Sequence, residues 1–292
     1  MATMRELKGR IGSVNSSQKI TGAMKMISSA KLRKAEQALR HVLPFRDQLQ
    51  NTINNLLGAD SDYQSPLTEQ RPVQRVALVV FGSDEGLCGA FNVELIKKMN
   101  ETIDRLVDEL GYRPMFTVYP VGKKVYGFVS KMQGIELGDA RYLNSKSGAE
   151  AVKRMSDELT ARFLDHIYDK VVLVYDHYKS VGTQILSTRV LLPIEMNRLG
   201  TGVQGKNCGP YIYEPDSETI FKVVLPLYVR STLQETWAES RTSEQAARIM
   251  AMQMANDNAN KLLDSLQLEY NKLRQQSITA ELLDILGGTV QQ

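Results

Sequence analysis

The residues best placed to do chemistry lie in FGSDEGLCGAFN (81–92), a glycine-rich stretch that follows an apolar run and opens a helical pattern. In α/β folds, backbone amides and a helix N-terminus at this point hold a phosphate. The glycine spacing fits neither G-x-G-x-x-G nor G-x-x-x-x-G-K-[ST], and no lysine follows to reach a phosphate. A tight strand-to-helix turn that packs the helix close to the sheet is the reading adopted. His41, His166 and His177 are scattered, without a metal-ligand spacing such as H-E-x-x-H. Asp84 and Glu85 have no partner base nearby in sequence, and no G-x-S-x-G elbow occurs. Cys88 and Cys208 are the two cysteines, far apart and outside any C-x-x-C arrangement. They predict neither a disulfide framework nor a structural zinc, and favour a reducing compartment. No catalytic residue, metal or cofactor is therefore expected.

The elements around these residues are more telling. With 292 residues the chain can bury a sizeable core in one large or two ordinary domains. Its net charge of +3 points to no polyanionic partner, but the distribution is uneven. Residues 1–40 carry nine bases (Arg5, Lys8, Arg10, Lys19, Lys25, Lys31, Arg33, Lys34, Arg40) against Glu6 and Glu36. Such a surplus fits an acidic partner at that end, or a solvated basic helix face. No apolar run approaches the roughly 20 residues that span a bilayer, and the N-terminus lacks a signal-peptide core. A cytoplasmic protein, or one held at a membrane by something else, is expected.

Within residues 20–40, ITGAMKMISSAKLRKAEQALR, small or apolar side chains fall on nearly every helical face and lysines crowd in behind them. Apolar steps of three and four run Leu7, Ile11, Val14, then Ile20, Met24, Ile27, then Leu32, Ala35, Leu39, Val42, then Leu49, Ile53, Leu56. They predict one long helix with phase slips between blocks, ending near Gly58. At the other end, neither Pro nor Gly occurs between Pro226 and Gly287, which predicts a helix roughly 90 Å long. Its stripe reads Val229, Leu233, Trp237, Ala247, Met250, Met254, Leu262, Leu266, Tyr270, Leu273. So long a helix needs a partner, and the first 57 residues supply one as an antiparallel coiled coil.

Between the ends, 75–82, 114–122, 170–178 and 184–194 read as strands, with helical patterns at about 92–110, 121–132 and 147–168. Alternation of strand and helix predicts a parallel sheet covered on both faces. The last strand follows the short turn KSVGT and is expected as an antiparallel edge. The expected architecture is an antiparallel coiled coil of N- and C-terminal helices with an inserted Rossmann-like α/β domain. Its expected parts are a helix over 1–58, an α/β domain over 73–195, and a segment with the long C-terminal helix over 209–292.

Four stretches carry a family likeness over essentially the full length. MRELKGRIGSVNSSQKITGAMKMISSAKLRKA, SDEGLCGAFN, YIYEPD (211–216) and SEQAARIMAMQMANDNANKLLDSLQLEYNKLRQQSITAELLDI resemble, in order, motifs of the gamma subunit of the F-type rotary ATP synthase. The resemblance implies a central-stalk rotor that couples proton-driven rotation of the membrane c ring to ATP synthesis or hydrolysis in the alpha/beta hexamer. It implies an epsilon subunit near the foot, no cofactor, and catalytic sites on partner subunits. By likeness, Met24, Lys25, Arg274, Gln275, Thr279 and Glu281 face the hexamer, and Tyr211 and Glu214 face the c ring, with Lys206 and Asn207 close in sequence. A peripheral place on the cytoplasmic face of a bacterial membrane is expected. Members with a thiol switch carry a cysteine pair before the foot, whereas this chain has only Cys208 there, so no such switch is expected. A non-motor coiled-coil adaptor with an α/β head and a nucleotide-using enzyme that dimerises through its coil remain the alternatives.

Overall fold

The computed structural model describes residues 3–59, 65–195 and 213–289. Helix α1 spans Met4–Ala59. A reciprocal cap starts it: the Glu6 amide donates to Thr3 Oγ1 (3.3 Å) and the Thr3 amide to Glu6 Oε2 (2.8 Å), so two otherwise orphaned N–H groups are satisfied. Helix α5 spans Ser217–Thr289 and is 73 residues long, about 110 Å at 1.5 Å per residue. It is longer at both ends than expected. Asp216 caps it, accepting from the Thr219 amide at 2.7 Å, and the helix continues through Pro226 and the Gly287–Gly288 pair. Pro226 is exposed, while Phe221, Val224, Leu225 and Val229 around it are buried. Packing there overrides the local breaker.

The two helices pair antiparallel. Gln18 Nε2 donates to Asn260 Oδ1 (2.8 Å), Thr21 Oγ1 to Asn256 Oδ1 (3.5 Å) and Lys25 Nζ to Gln253 Oε1. Continued toward the N-terminus, this register sets Met4 opposite residue 274. The seam of α1 is an unbroken heptad pattern: Met4, Leu7, Ile11, Val14, Gln18, Thr21, Lys25, Ser28, Leu32, Ala35, Leu39, Val42, Arg46, Leu49, Ile53 and Leu56 are all buried or half-buried. The expected phase slips are absent. Apolar residues in the middle block do not mark the seam: Ile20 is 60% exposed and Ile27 56%, while polar side chains take the inner positions. On α5 likewise, Met250, Met254 and Leu262 face outward, and Ala246, Ile249, Met252 and Leu266 are buried.

The five-stranded sheet has the order β3-β2-β1-β4-β5. β1 (Arg75–Phe81) lies parallel between β2 (Met115–Val121) and β4 (Lys170–Ser180), and β5 (Thr183–Leu192) pairs antiparallel to β4 at the edge. β3 (Glu136–Leu137), two residues parallel to β2, was not legible in the sequence. Val76, Leu78 and Val80 of β1 pack on one face with α2 (Phe91–Leu110) and α3 (Lys123–Val129). Ala77, Val79 and Phe81 pack on the other with α4 (Ala149–Leu164) and with Leu49, Ile53, Leu56, Phe221, Val229 and Leu233 of the coiled coil. The coil itself is therefore a layer of the α/β domain. That is how the chain's two ends and its insert become one body.

The inward and outward sets of α1 predict opposite costs. Ile53→Ala removes a fully buried side chain and is expected to destabilise the chain by about 2–5 kcal/mol. Ile20→Ala is expected to change stability by less than about 0.5 kcal/mol. Chemical unfolding followed by circular dichroism checks this; equal losses would mean that Ile20 belongs to the seam.

Candidate functional site

The phosphate-loop question is settled by glycine geometry and by α5. A Cβ on Gly82 would lie 2.2 Å from Val125 Cγ2, and one on Gly122 (φ +95°) would lie 2.7 Å from the Gly82 carbonyl. These glycines let the β1–α2 and β2–α3 turns touch. Inside the first turn, Asn92 accepts from the Ser83 amide (3.0 Å) and donates to Ser83 Oγ (2.7 Å), beside buried Cys88. In an open α/β sheet a ligand sits outside the carboxyl ends of the strands where the order reverses, here beside β1. In this molecule α5 occupies that crevice. Ser240 Oγ donates to the Phe81 carbonyl (2.8 Å) and Ser243 Oγ to the Asp176 carbonyl (2.9 Å). A small cavity walled by Phe81, Gly122, Trp237 and Arg241 measures about 10 Å³, roughly one water, and wider clefts of about 380 and 480 Å³ open beside it along Asp84, Glu85 and Ser145.

What the helices leave facing outward is of a different kind. Around Gln18–Ser28 the coil is inverted, with amides and hydroxyls in the seam and Ile20, Met26 (74% exposed), Ile27 and Met254 (63%) outside. Met24 is half-buried, and Lys25 lies in the seam with its Nζ on Gln253. Ser28 is buried, and Ala23 and Ala30 are exposed small residues beside it. Lys31, Arg33 and Lys34 are exposed on either side of the buried Leu32. Among the described residues, none of the nine bases in 1–40 forms an ion pair within the chain.

Beyond Leu273, α5 has no partner helix among the described residues. Arg274, Gln275, Ile278, Thr279, Glu281, Leu282 and Leu283 are all exposed. Gln275 and Thr279 lie on one helical side, where Thr279 Oγ1 donates to the Gln275 carbonyl (2.9 Å); Arg274 and Glu281, seven residues apart, share another. At the opposite pole Glu214 is exposed just before α5, and Tyr213 Oη donates to the Asn55 carbonyl (3.0 Å). Tyr211, Lys206, Asn207 and Cys208 lie outside the described residues. The predicted site residues thus fall into three separate groups along the long axis, not into one pocket. Among the described residues no cluster of His, Cys, Asp and Glu could hold a metal, and no helix is long and apolar enough to cross a membrane.

Sequence reading missed a polar band on α5. From Ser231 to Arg248 the helix is buried on almost every side, yet it carries Glu235, Glu239, Glu244 and Arg248. Glu235 pairs with Arg46 (3.1 Å) and Arg189 (2.9 Å), Glu239 with His177 Nδ1 (2.9 Å) and Glu244 with Arg248 (2.7 Å). Burial pushes the Glu239 and Glu244 carboxyls up, and their cationic partners pull back only in part. Burial is the largest influence on Arg189 and opposes its charge, but the Glu235 carboxylate together with Tyr175 and Tyr228 holds the guanidinium above its ordinary range. The signal was in the apolar stripe, which breaks between Trp237 and Ala247.

Comparison with known proteins agrees with this arrangement. A family model described as ATP synthase matches residues 3–290. The chain is 41% identical over 290 residues to the ATP synthase gamma chain of Phocaeicola vulgatus, covering 99% of this chain and 100% of that one. It is 40% identical over 291 residues to the same-named protein of Bacteroides fragilis, again covering 99% and 100%. A chain of the Euglena gracilis mitochondrial ATP synthase, solved as OSCP/F1/c-ring, superposes with a TM-score of 0.61 at 21% identity, over 98% of this chain and 93% of that one. A chain of the Tetrahymena thermophila central stalk/c-ring superposes with a TM-score of 0.58 at 21% identity, over 81% and 99%.

One buried group of the α5 docking site titrates near neutrality. Asp176 on β4 is 6% exposed and its Oδ1 has no hydrogen-bond partner among the described residues. Burial first, then the Glu94 carboxylate, push its pKa from 3.8 to about 6, with His177 pulling back. A carboxyl raised in the folded state favours its neutral form, so its contribution is present below pH about 4 and lost as pH rises through about 6. Asp176→Asn removes the titration. The stability of the variant relative to the parent is expected to improve by about 2–3 kcal/mol between pH 4 and pH 8. A difference that stays flat across this range, measured by chemical unfolding at each pH, would mean that Asp176 ionises freely.

Proposed function

Because the chain belongs to the family of ATP synthase gamma chains, we propose that its three outward-facing regions are the working surfaces of a central-stalk rotor. Proton-driven turning of the c ring enters at the foot, where Glu214, with Tyr211 before it in sequence, meets polar ring loops through charge-assisted hydrogen bonds. An epsilon subunit binds near the same pole. The shaft turns inside the alpha/beta hexamer, whose acidic loops pass Met24, Lys25 and the exposed bases beside them. The tip beyond Leu273 sits in a socket of the same hexamer. The complex lies against the cytoplasmic face of a bacterial membrane, and this chain is held there by its partners.

The observation that carries the reading is the inverted stretch of coil together with the bare tip. A pair of helices that exposes Met26, Ile27, Ile278, Leu282 and Leu283 while turning the half-buried Gln18, Thr21 and Lys25 inward buries little apolar area there by itself. A surrounding protein collar covers the outer set and leaves the amide seam inside. Contacts with such a collar need to be interchangeable, since one deep pairing at a single angle would hold the rotor there.

Two outcomes test this. The purified chain is expected to hydrolyse no ATP, and to raise turnover when added to alpha and beta subunits; intrinsic hydrolysis that survives removal of contaminants counts against the reading. At the tip, Arg274 and Gln275 hold a loop of the beta subunit by hydrogen bonds, those of the arginine being worth about 1.5–3 kcal/mol each. Arg274→Ala and Gln275→Ala are therefore expected to lower turnover of the assembled complex by roughly tenfold, with the helix content of the free chain unchanged. Should both variants run at full speed while deletion of 283–292 prevents assembly, the socket is held by apolar contacts instead.

A further inference from the structure

A shaft made by pairing two helices has a mechanical weakness. Apolar packing resists separation but has no direction, so it does little to stop one element from turning or sliding against another. Turning force that enters at the foot reaches the tip only if the α/β domain, α1 and α5 keep their angular register. A directional link among all three is needed, and it has to lie inside the joint.

Glu235 has that position. It lies on α5, with its side chain 3% exposed. Its Oε1 is 3.1 Å from Nη2 of Arg46, a seam residue of α1, and its Oε2 is 2.9 Å from Nη1 of Arg189 on edge strand β5. One carboxylate thus joins both helices of the coil to the sheet. Neighbouring links join pairs only: Glu239 reaches His177 on β4, Ser240 reaches β1, and Tyr178 Oη reaches Glu36 of α1 at 2.5 Å. Arg46 is also the one arginine in the α1 seam between Met4 and Leu56, set between the apolar seam residues Val42 and Leu49, and a charged residue at an otherwise apolar seam position can fix the register of a coil. The Arg189 limb is a charge-assisted hydrogen bond, and the Arg46 limb is an ion pair whose Nη2 also lies 3.1 Å from Asp47 Oδ1.

We propose that Glu235 is the positioning residue that locks the α/β domain to the two-helix shaft in torsion, so that rotation of the foot becomes rotation of the tip without slip. The proposal rests on the rotor reading and adds the place where torque crosses from domain to shaft. Glu235 touches no reacting group, so its loss acts on coupling before it acts on hydrolysis.

The test uses the assembled complex in sealed vesicles, with ATP hydrolysis and ATP-driven proton uptake measured on one sample against an increasing opposing gradient. Glu235→Gln keeps size and shape and removes the charge. Arg189→Gln cuts only the limb to the sheet, at a partly exposed position, and serves if the first variant does not assemble. Loss of a buried charge pair outweighs thermal energy several-fold, so protons moved per ATP are expected to fall about threefold or more under load while hydrolysis stays within about twofold. Ile53→Ala, which loosens the same joint without cutting a directional link, is expected to keep the parent ratio. The lock is overturned if an assembled variant pumps with the parent ratio, or if Ile53→Ala lowers the ratio equally. If the parent complex itself moves no protons, the rotor reading fails and not the lock alone.

Discussion

Pairing of α1 with α5 governs the rest of the molecule. Chain segments far apart in sequence, 242 residues at Gln18–Asn260, meet along a seam that repeats every three and four residues from Met4 to Leu56. A helix of 73 residues has no means of burying its own apolar side chains, and isolated helices gain little from propensity alone. The seam supplies the burial, and the insert is placed by it. With the ends of the chain held together, the α/β segment leaves at Ala59 and returns before Ser217 at the same pole, where Tyr213 is tied to Asn55. The coil then covers one face of the sheet, which a free-standing α/β domain would cover with helices of its own.

The inverted stretch follows from the same pairing under a second demand. Seam positions filled by Gln18, Thr21, Lys25 and Ser28 hydrogen-bond across to Asn260, Asn256 and Gln253 or lie buried among them. Such layers keep register by geometry but contribute little net stability. Apolar residues moved to the outside serve a surface that a partner covers. A sequence with its apolar residues in this seam and polar ones outside would make a firmer coil and a poorer bearing.

Much of this was legible in the sequence. Apolar steps of three and four marked the N-terminal helix despite Pro44 within it, absence of breakers marked the C-terminal one, alternation of strand and helix marked the parallel sheet, and KSVGT marked the antiparallel edge, because each is a local signal with a local cause. Which residues face inward was not legible in the middle of the coil. Ile20, Ile27, Met250 and Met254 look like seam residues when apolar is equated with buried, yet they lie on the outside of the coil, where the rotor reading has another chain cover them. Pro226 looked like a start for α5, but Leu225 before it and Val229 after it are buried and carry the helix through. The band from Ser231 to Arg248 was hidden for the opposite reason. A helix with α1 on one side and a sheet on the other needs no single stripe, and its charged residues find partners on three different elements. Tyr211 lies outside the described residues, and of the foot residues the structure locates only Glu214, exposed at the start of α5.

The α/β domain shows how a fold is turned to a new task by occupation of its usual site. Outside the carboxyl ends of β1 and β4, where folds of this class take a ligand, Ser240 and Ser243 hydrogen-bond the strand carbonyls and Arg248 reaches the Glu85 and Gly86 carbonyls at 3.3 Å. These carbonyls are satisfied by a helix of the same chain. Satisfied in this way, they gain rigidity instead of affinity: each bond fixes the sheet to α5 in angle, and none of them has to release during a catalytic cycle. The glycines at 82 and 122 that resemble a phosphate loop then serve packing alone, bringing two turns into contact beneath the helix. A domain tied to a helix in this way is suited to carrying load, and Glu235 adds its own contact with the sheet through Arg189 of β5.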